Sequence, residues 1–577
     1  MEGNMNYLDI YRFWCEDAYF DEKTKEELKS LEGNDIEIKD RFYKSLEFGT
    51  GGLRGIIGAG TNRMNLYTVR KATQGLANFI KKEHGENRGV AIAYDSRNMS
   101  IEFSEEVALC LCANGIKAYR FESLRPTPEL SFALRTLNCI SGIVITASHN
   151  PPEYNGYKVY WEDGAQITYP KDEQIINEVN DVTDFNTVKT MKKEDAIAAG
   201  LYHTIGKEID DLYIAELKRQ VIHPDVIKKV GGDLKIVYTP LHGTGNLPVR
   251  RVLSELGFEN VFVVPEQELP DGNFSTVGYP NPEDPKAFKL ALDLAKKVDA
   301  DLILATDPDA DRLGVYAKDS KTGDFVSFTG NMSGMLICEY LLSQKKELGI
   351  LAKDGALIKT IVSTNMADKV AREYNIELIE VLTGFKYIGE QIKLFEETGE
   401  GTYEFGFEES YGCLIGTHAR DKDAIVAVMA LCEAAAYYST KGLTLWDQML
   451  TIYQKYGYFR EGLETMTLKG VEGAEKIKEM MESFRQNPPK QLGNYKVVSF
   501  RDYETDKVIK LETKEVSKTG LPKSNVLYFE LDKDAWVCVR PSGTEPKIKF
   551  YIGVKGTSFE DANEQLQSLT EALMKLA

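Results

Sequence analysis

The stretch SGIVITASHNPPEYNGYKVY, residues 141–160, sets the fold class and poses the functional question. An apolar run, Ile143 to Ile145, feeds directly into a serine, Ser148, followed by His149, Asn150 and two prolines. Such a run reads as a buried strand, and the polar, proline-bearing segment after it as the loop at its carboxyl end. The arrangement recurs along the chain. KIVY (235–238) precedes TPLHGTGN, LILA (302–305) precedes TDPDADR, and TYEFG (402–406) precedes FEESYG. Helix-like segments separate these runs, which is the pattern of α/β domains with largely parallel sheets. Ligands gather at the carboxyl ends of strands in such sheets. Several similar sheets are therefore expected to give one loop each to a shared cleft.

Composition bounds the rest. A chain of 577 residues is too long for one core, so three or four domains are expected. Hydrophobic content of 43% and charged content of 28% are ordinary for a globular protein. Seventy basic against 89 acidic residues leave a net charge of −19, which argues against a generic nucleic-acid or anionic-membrane surface. A few local Arg and Lys residues still suffice for a small phosphorylated ligand. The eight cysteines show no zinc spacing and read as thiols of a reducing compartment. The start, MEGNMNYLDIYRFW, lacks the basic-then-apolar order of a signal peptide. The longest apolar helix candidate, Ala424 to Tyr438, is broken by Glu433 and is short for a bilayer. A cytoplasmic protein, monomeric or weakly dimeric, is expected. Polar connections around 200–210, 317–328 and 440–460 are expected to be linkers. From about 455 the rhythm changes to that of an antiparallel ribbon with a basic turn, a separate small domain.

TDPDADRLG places Asp307, Asp309 and Asp311 at alternate positions, which in an extended segment share one face. Three carboxylates within ~4–6 Å repel unless a cation sits among them. Oxygen ligands of this kind select Mg²⁺ or Mn²⁺. An EF-hand would need Gly and Glu where Arg312 and Lys318 stand. A solvated acidic turn is the competing reading.

Ser148 admits several readings. The frame Thr146-Ala147-Ser148-His149-Asn150 is not the G-x-S-x-G hydrolase elbow. A distant triad is not excluded by spacing. A serine that carries phosphate would need the cation and the acids just described. A turn serine is the plain alternative. Lys158 is a candidate base whose pKa a nearby metal would lower, or else an exposed strand-end charge. His149 either bonds a phosphoserine or orients the loop. FGTGGLRG is not a dinucleotide fingerprint, because the sixth position of that motif is Arg54; its glycines let backbone and Arg54 approach a phosphate. RPSGTEP combines an Arg fork with hydroxyls, a phosphate cradle or a hairpin turn. Glu408 and Glu409 are too close in sequence to flank a glycosidic bond.

EFGTGGLRG, TASHNPPEYNGYKVY, TDPDADR, FEESYG and RPSGTEPKIKFY, in this order, resemble the α-D-phosphohexomutases over essentially the whole chain. DGNFSTVGYPNPEDPKAF and FGFEESYG look most like the bacterial α-phosphoglucomutase branch, which is related to phosphopentomutase-type members. The resemblance implies three similar α/β domains with mixed sheets, over 1–205, 206–320 and 321–450. A smaller, mobile α+β domain would follow over 451–577. It implies that Ser148 is phosphorylated at rest and that Asp307, Asp309 and Asp311, with a phosphoserine oxygen, hold one Mg²⁺. Arg54, Arg312, Lys158 and His149 would surround the transferring phosphoryl group, with Lys422 a second acid/base candidate. Glu408 and Ser410 would bind the sugar. Arg540, Ser542, Gly543 and Thr544 would hold the other phosphate, with Lys547 and Lys549 as alternatives for a lysine contact. The implied reaction interconverts glucose 1-phosphate and glucose 6-phosphate through glucose 1,6-bisphosphate. Mannose and then pentose phosphates are the alternative substrates. A sugar-phosphate phosphatase and a non-catalytic sugar-phosphate-binding regulator are the rival classes.

Overall fold

The apolar runs of the sequence become the central strands of three mixed sheets. The computed structural model describes residues 6–49, 51–468, 470–542 and 547–577. The first sheet runs in the order Gly52–Ile56, Tyr154–Trp161, Ser141–Ile145, Val90–Tyr94, Ala118–Phe121, Tyr202–Ile205. Its last four strands are parallel, while Tyr154–Trp161 returns antiparallel beside Ser141–Ile145 and pairs antiparallel with Gly52–Ile56. The second sheet repeats the device. Lys235–Thr239, Asn260–Val263 and Leu302–Thr306 are parallel, and Leu313–Lys318 returns antiparallel beside Leu302–Thr306. In the third, Gly355–Thr360, Glu377–Val381 and Thr402–Glu408 are parallel, and Gly412–Leu414 returns beside Thr402–Glu408. In every sheet the loop of interest is thus the turn between a parallel strand and its antiparallel return. That places three loops at carboxyl strand ends, where a cleft can form.

Ser141–Ile145, Val90–Tyr94 and Leu302–Thr306 are buried along their whole length. In the first sheet alternate residues join different cores: Val90 and Ile92 pack on one face, Ala91 and Ala93 on the other. Strands covered on both faces are apolar throughout instead of alternating.

The second and third units share one core. The helix Ala424–Ser439 is buried from Ala424 to Tyr438, and Asp423 caps it by accepting the N–H groups of Ile425 and Val426. It packs on Pro224–Val230 and Asn246–Leu256 from one side and Gly330–Glu347 from the other. Its single acid, Glu433, is saturated by donors: the N–H groups of Ile222 and His223 at 2.8 and 2.6 Å and the Tyr340 hydroxyl at 3.0 Å. Apolarity all round thus marks a core helix; no described helix is long and apolar enough to cross a membrane.

The C-terminal unit is an antiparallel sheet flanked by the helices Gly470–Gln486 and Phe559–Met574. It docks on the third unit where Tyr503, Tyr528 and Trp536 meet Ile361, Val362 and Leu382, beside an Arg501–Glu380 ion pair of 3.1 Å.

The three expected linkers hold regular structure instead. Residues 200–210 contain the strand Tyr202–Ile205 and the start of Lys207–Lys218. Residues 317–328 end one strand and form the next, Phe325–Phe328, which pairs with Leu313–Lys318, so the second sheet runs past 320. Residues 440–460 include the helix Leu445–Tyr456, which packs on Gly330–Glu347 and carries the third unit past 450. Their polar residues face solvent from one side of each element, which the sequence displays as polarity alone.

Candidate active site

Asp307, Asp309 and Asp311 converge, but not by sharing the face of an extended segment. They lie in the turn between Leu302–Thr306 and Leu313–Lys318, where Ala310 takes the left-handed backbone (φ 51°). One carboxylate oxygen from each lies within 4.8 Å of the others, and all three residues are buried. A second loop supports the turn from below: Gly243 closes on Pro308 and the Thr244 N–H donates to the Pro308 carbonyl at 2.8 Å. TPLHGTGN is therefore a buttress, one layer behind the cleft. Burial, with Asp309 and Asp311 alongside, pushes Asp307 well above the usual carboxylate range. Burial would raise Asp309 too, but the Lys158 ammonium and the Thr127 hydroxyl hold it low. Asp309 Oδ1 and Asp311 Oδ1 are buried with no hydrogen-bond donor among the described residues. Converging carboxylates with unsatisfied buried oxygens are a donor set suited to a hard divalent cation.

Ser148 stands at this cage. It is buried, its backbone is left-handed (φ 51°), and its hydroxyl donates to Asp307 Oδ2 at 2.7 Å. His149 Nδ1 is 3.3 Å from Ser148 Oγ. Burial, reinforced by Arg312 and Arg54, depresses the His149 pKa well below its ordinary value, so the ring is neutral. The loop is held by residues that the sequence reading passed over. Arg97 donates to the carbonyls of Ser148, Asn150, Pro151 and Tyr154. Asp95 accepts the Thr146 hydroxyl at 2.6 Å, and Thr146 Oγ1 in turn accepts the Ser148 N–H at 2.8 Å. The signal for them was present: VAIAY followed by DSRN is the same strand-then-polar-loop pattern.

The cationic side chains close around the cage. Arg54 Nη1 lies 3.4 Å from Asn150 Oδ1, at the edge of the serine loop. Arg312 pairs with Glu283 at 2.6 Å and keeps its Nε near Asp311 Oδ1 at 3.9 Å. Lys158 Nζ donates to Asp309 Oδ2 at 2.8 Å. Lys422 Nζ is 3.2 Å from Asp311 Oδ2 and 3.7 Å from Glu408 Oε1. Among these carboxylates the Lys158 pKa is displaced upward. Burial pulls it down, but Asp309 and Asp311 outweigh burial and raise it. For Lys422 burial is likewise overcome, by Asp311, Asp421 and Glu408. Both are ammonium ions among these carboxylates.

Across the cleft, Ser410 Oγ donates to Glu408 Oε1 at 2.6 Å, and the Thr360 hydroxyl donates to Glu409 Oε2 at 2.8 Å. The Leu313 N–H donates to the Tyr411 carbonyl at 2.9 Å, which ties this loop to the strand following Arg312. From the C-terminal unit, Arg540 pairs across the ribbon with Lys549. Burial, then Arg540, lowers the Lys549 pKa, and Arg312 adds to the effect. Ser542 follows at the end of the strand Trp536–Pro541; Gly543 and Thr544 lie outside the described residues.

Comparison with known proteins fits this geometry. Residues 45–185, 211–322 and 329–456 match alpha/beta/alpha domains I, II and III of the phosphoglucomutase/phosphomannomutase family, and residues 504–569 match its C-terminal domain. A phosphoglucomutase of Staphylococcus aureus strain MRSA252 is 38% identical over 539 residues, covering 93% of this chain and 94% of that protein. The phosphoglucomutase of the bovine strain RF122 / ET3-1 is 38% identical over 537 residues, 92% and 94% of the two chains. In fold, the open form of Paramecium parafusin, a phosphoglucomutase, superimposes with a TM-score of 0.66 at 19% identity, covering 92% of this chain and 94% of that one. A phosphoglucomutase/phosphomannomutase family protein of Burkholderia thailandensis gives 0.63 at 20% identity, with coverage of 92% and 97%. With a serine loop, an acidic turn and a glutamate-bearing loop on three sheets of one design and a fourth unit docked on the third, this chain belongs to the phosphoglucomutase/phosphomannomutase family, the α-D-phosphohexomutases.

Proposed function

We infer that this mutase interconverts glucose 1-phosphate and glucose 6-phosphate through phospho-Ser148. One observation carries the reading: the Ser148 hydroxyl lies 2.7 Å from a buried three-carboxylate cage. A phosphate on that oxygen would meet the cage, Arg54 and Arg312. The phosphoryl group leaves Ser148 Oγ for the free hydroxyl of the sugar phosphate as the new oxygen–phosphorus bond forms. The hydroxyl proton passes to Lys158 or Lys422 in its neutral amine form, and Ser148 Oγ takes up a proton as it leaves phosphorus. The resulting glucose 1,6-bisphosphate turns in the cleft and returns its other phosphoryl group to Ser148. Mg²⁺ held by Asp307, Asp309 and Asp311 would place positive charge against the phosphoryl oxygens and offset the carboxylates that keep the lysines protonated. Arg312 stabilises the transferring charge from the other side. Glu408 and Ser410 orient sugar hydroxyls, and Arg540, Ser542 and Lys549 hold the phosphate that does not react. Gly543 and Thr544 belong to the same proposed cradle.

Glucose is the preferred sugar because the relatives matched over nearly the full length are named phosphoglucomutase. Mannose and pentose phosphates rank next. The eight cysteines are unpaired, which suits a reducing, cytoplasmic setting. Coupled assays on glucose, mannose and ribose 1-phosphates with one preparation test the assignment. Faster turnover of mannose or ribose phosphate would reassign the substrate. Release of inorganic phosphate faster than isomer would make the protein a phosphatase.

A further inference from the structure

Lys422 reaches the cage along a path that one glycine leaves open. Gly412 stands opposite Glu408 in the hairpin of the sugar loop. The Lys422 stem lies across it: a Cβ added at Gly412 would sit 2.0 Å from Lys422 Cδ and 2.6 Å from Cγ. Carbon atoms in contact keep roughly 3.5–4.0 Å, so any side chain here displaces the stem. These are mid-chain atoms, and rotating the tip does not relieve the clash.

The far end of Lys422 is fixed from another domain. Its ammonium is 3.2 Å from Asp421 Oδ1 as well as 3.2 Å from Asp311 Oδ2. Asp421 Oδ2 accepts the Tyr160 hydroxyl at 2.7 Å. Tyr160 is fully buried and sits on the same return strand as Lys158. The segment is anchored to the first unit again where the Arg420 N–H donates to Ser131 Oγ at 2.8 Å. The two proton-transfer candidates are thus joined through Tyr160 and Asp421, across a domain boundary.

We propose that Gly412 and Tyr160 are positioning residues for Lys422, the glycine by leaving room for its stem and the tyrosine by holding Asp421 against its ammonium. The proposal rests on the reading of Lys422 as a proton-transfer group. Misplacement of a reacting group by about 1 Å costs on the order of a hundredfold in rate. Gly412→Ala is therefore expected to lower kcat by about 10- to 100-fold, and Tyr160→Phe by about 10-fold, with KM changed less than about threefold.

A double-mutant cycle with Lys422→Ala separates positioning from a general structural role. Alanine at 422 removes the Cγ and Cδ atoms that Gly412 accommodates. In that background both substitutions should leave the residual kcat unchanged. Losses of full size in the Lys422→Ala background would overturn the proposal and assign both residues to the sugar loop or the fold. A Lys422→Ala enzyme with wild-type kcat would instead remove the role of Lys422 itself, and this proposal with it. Should Gly412→Ala fail to fold, Tyr160→Phe, which deletes one hydroxyl, carries the cycle alone.

Discussion

Ser148 and Asp307 are 159 residues apart in sequence, yet the serine hydroxyl donates to the aspartate at 2.7 Å. Each residue sits in the turn between a parallel strand and its antiparallel return, on separate sheets. The contact therefore spans a domain boundary, and the relative placement of the first two units sets the distance between Ser148 and the three carboxylates. The Thr127 hydroxyl fixes that placement independently, donating to Asp309 Oδ2 at 2.8 Å.

Ser148→Ala should abolish mutase turnover even with glucose 1,6-bisphosphate present, a loss of at least about a thousandfold for removal of a nucleophile. Intact-mass analysis of the wild-type protein should show one phosphate that the variant lacks. Near-wild-type turnover in the variant would end the phosphoserine scheme.

Asp309→Asn should uncouple stability from divalent cations. A cation bound by the folded cage alone stabilises the wild-type protein by about 2.7 kcal/mol at a hundred times its Kd. Thermal unfolding with and without Mg²⁺ reads this directly, without an activity assay. An equal upward shift of Tm in the variant would place the cation elsewhere.

The parts of the site legible in the sequence are those whose chemistry is carried by residue type. Asp307, Asp309 and Asp311 cluster in sequence, and Ser148 and Lys158 share one strand-loop-strand unit. Hidden were the residues that act by geometry. Arg97 serves through four backbone carbonyls, which leave no trace in side-chain composition. Gly412 serves by lacking a Cβ. Tyr160 and Asp421 meet only when the first and third units dock. The linker expectations failed for a related reason: surface elements such as Leu445–Tyr456 show polar residues whether or not they are helical.

Arg97→Lys should loosen the serine loop while retaining the charge. One ammonium cannot span the carbonyls that the guanidinium fork bridges. Hydrogen exchange over residues 148–154 should accelerate, and kcat should fall. Arg97→Leu should be worse, because it strands Asp95, which lies 3.3 Å from Arg97 Nε with both side chains fully buried. Leaving one partner of a buried pair costs about 3–5 kcal/mol. Unchanged exchange in Arg97→Lys would mean that the loop is held by Thr146 and Asp95 alone.

Glu409 should make stability fall as pH rises from about 4.5 to about 7. Burial, reinforced by Glu408, pushes its pKa up from 4.5 to about 7. A carboxyl whose folded pKa is raised binds its proton more tightly in the folded state. Its penalty is absent below the unfolded pKa near 4.5, grows between the two values, and is complete above about pH 7. Glu409→Gln keeps an oxygen to accept the Thr360 hydroxyl and removes the titration. The variant should therefore match the wild type at pH 4.5 and exceed it at pH 8, by on the order of 1–2 kcal/mol after allowing for partial exposure. Chemical denaturation at the two pH values checks the sign as well as the size. A stability difference independent of pH would show that Glu409 ionises freely beside Glu408, leaving this loop no cost for carrying both charges.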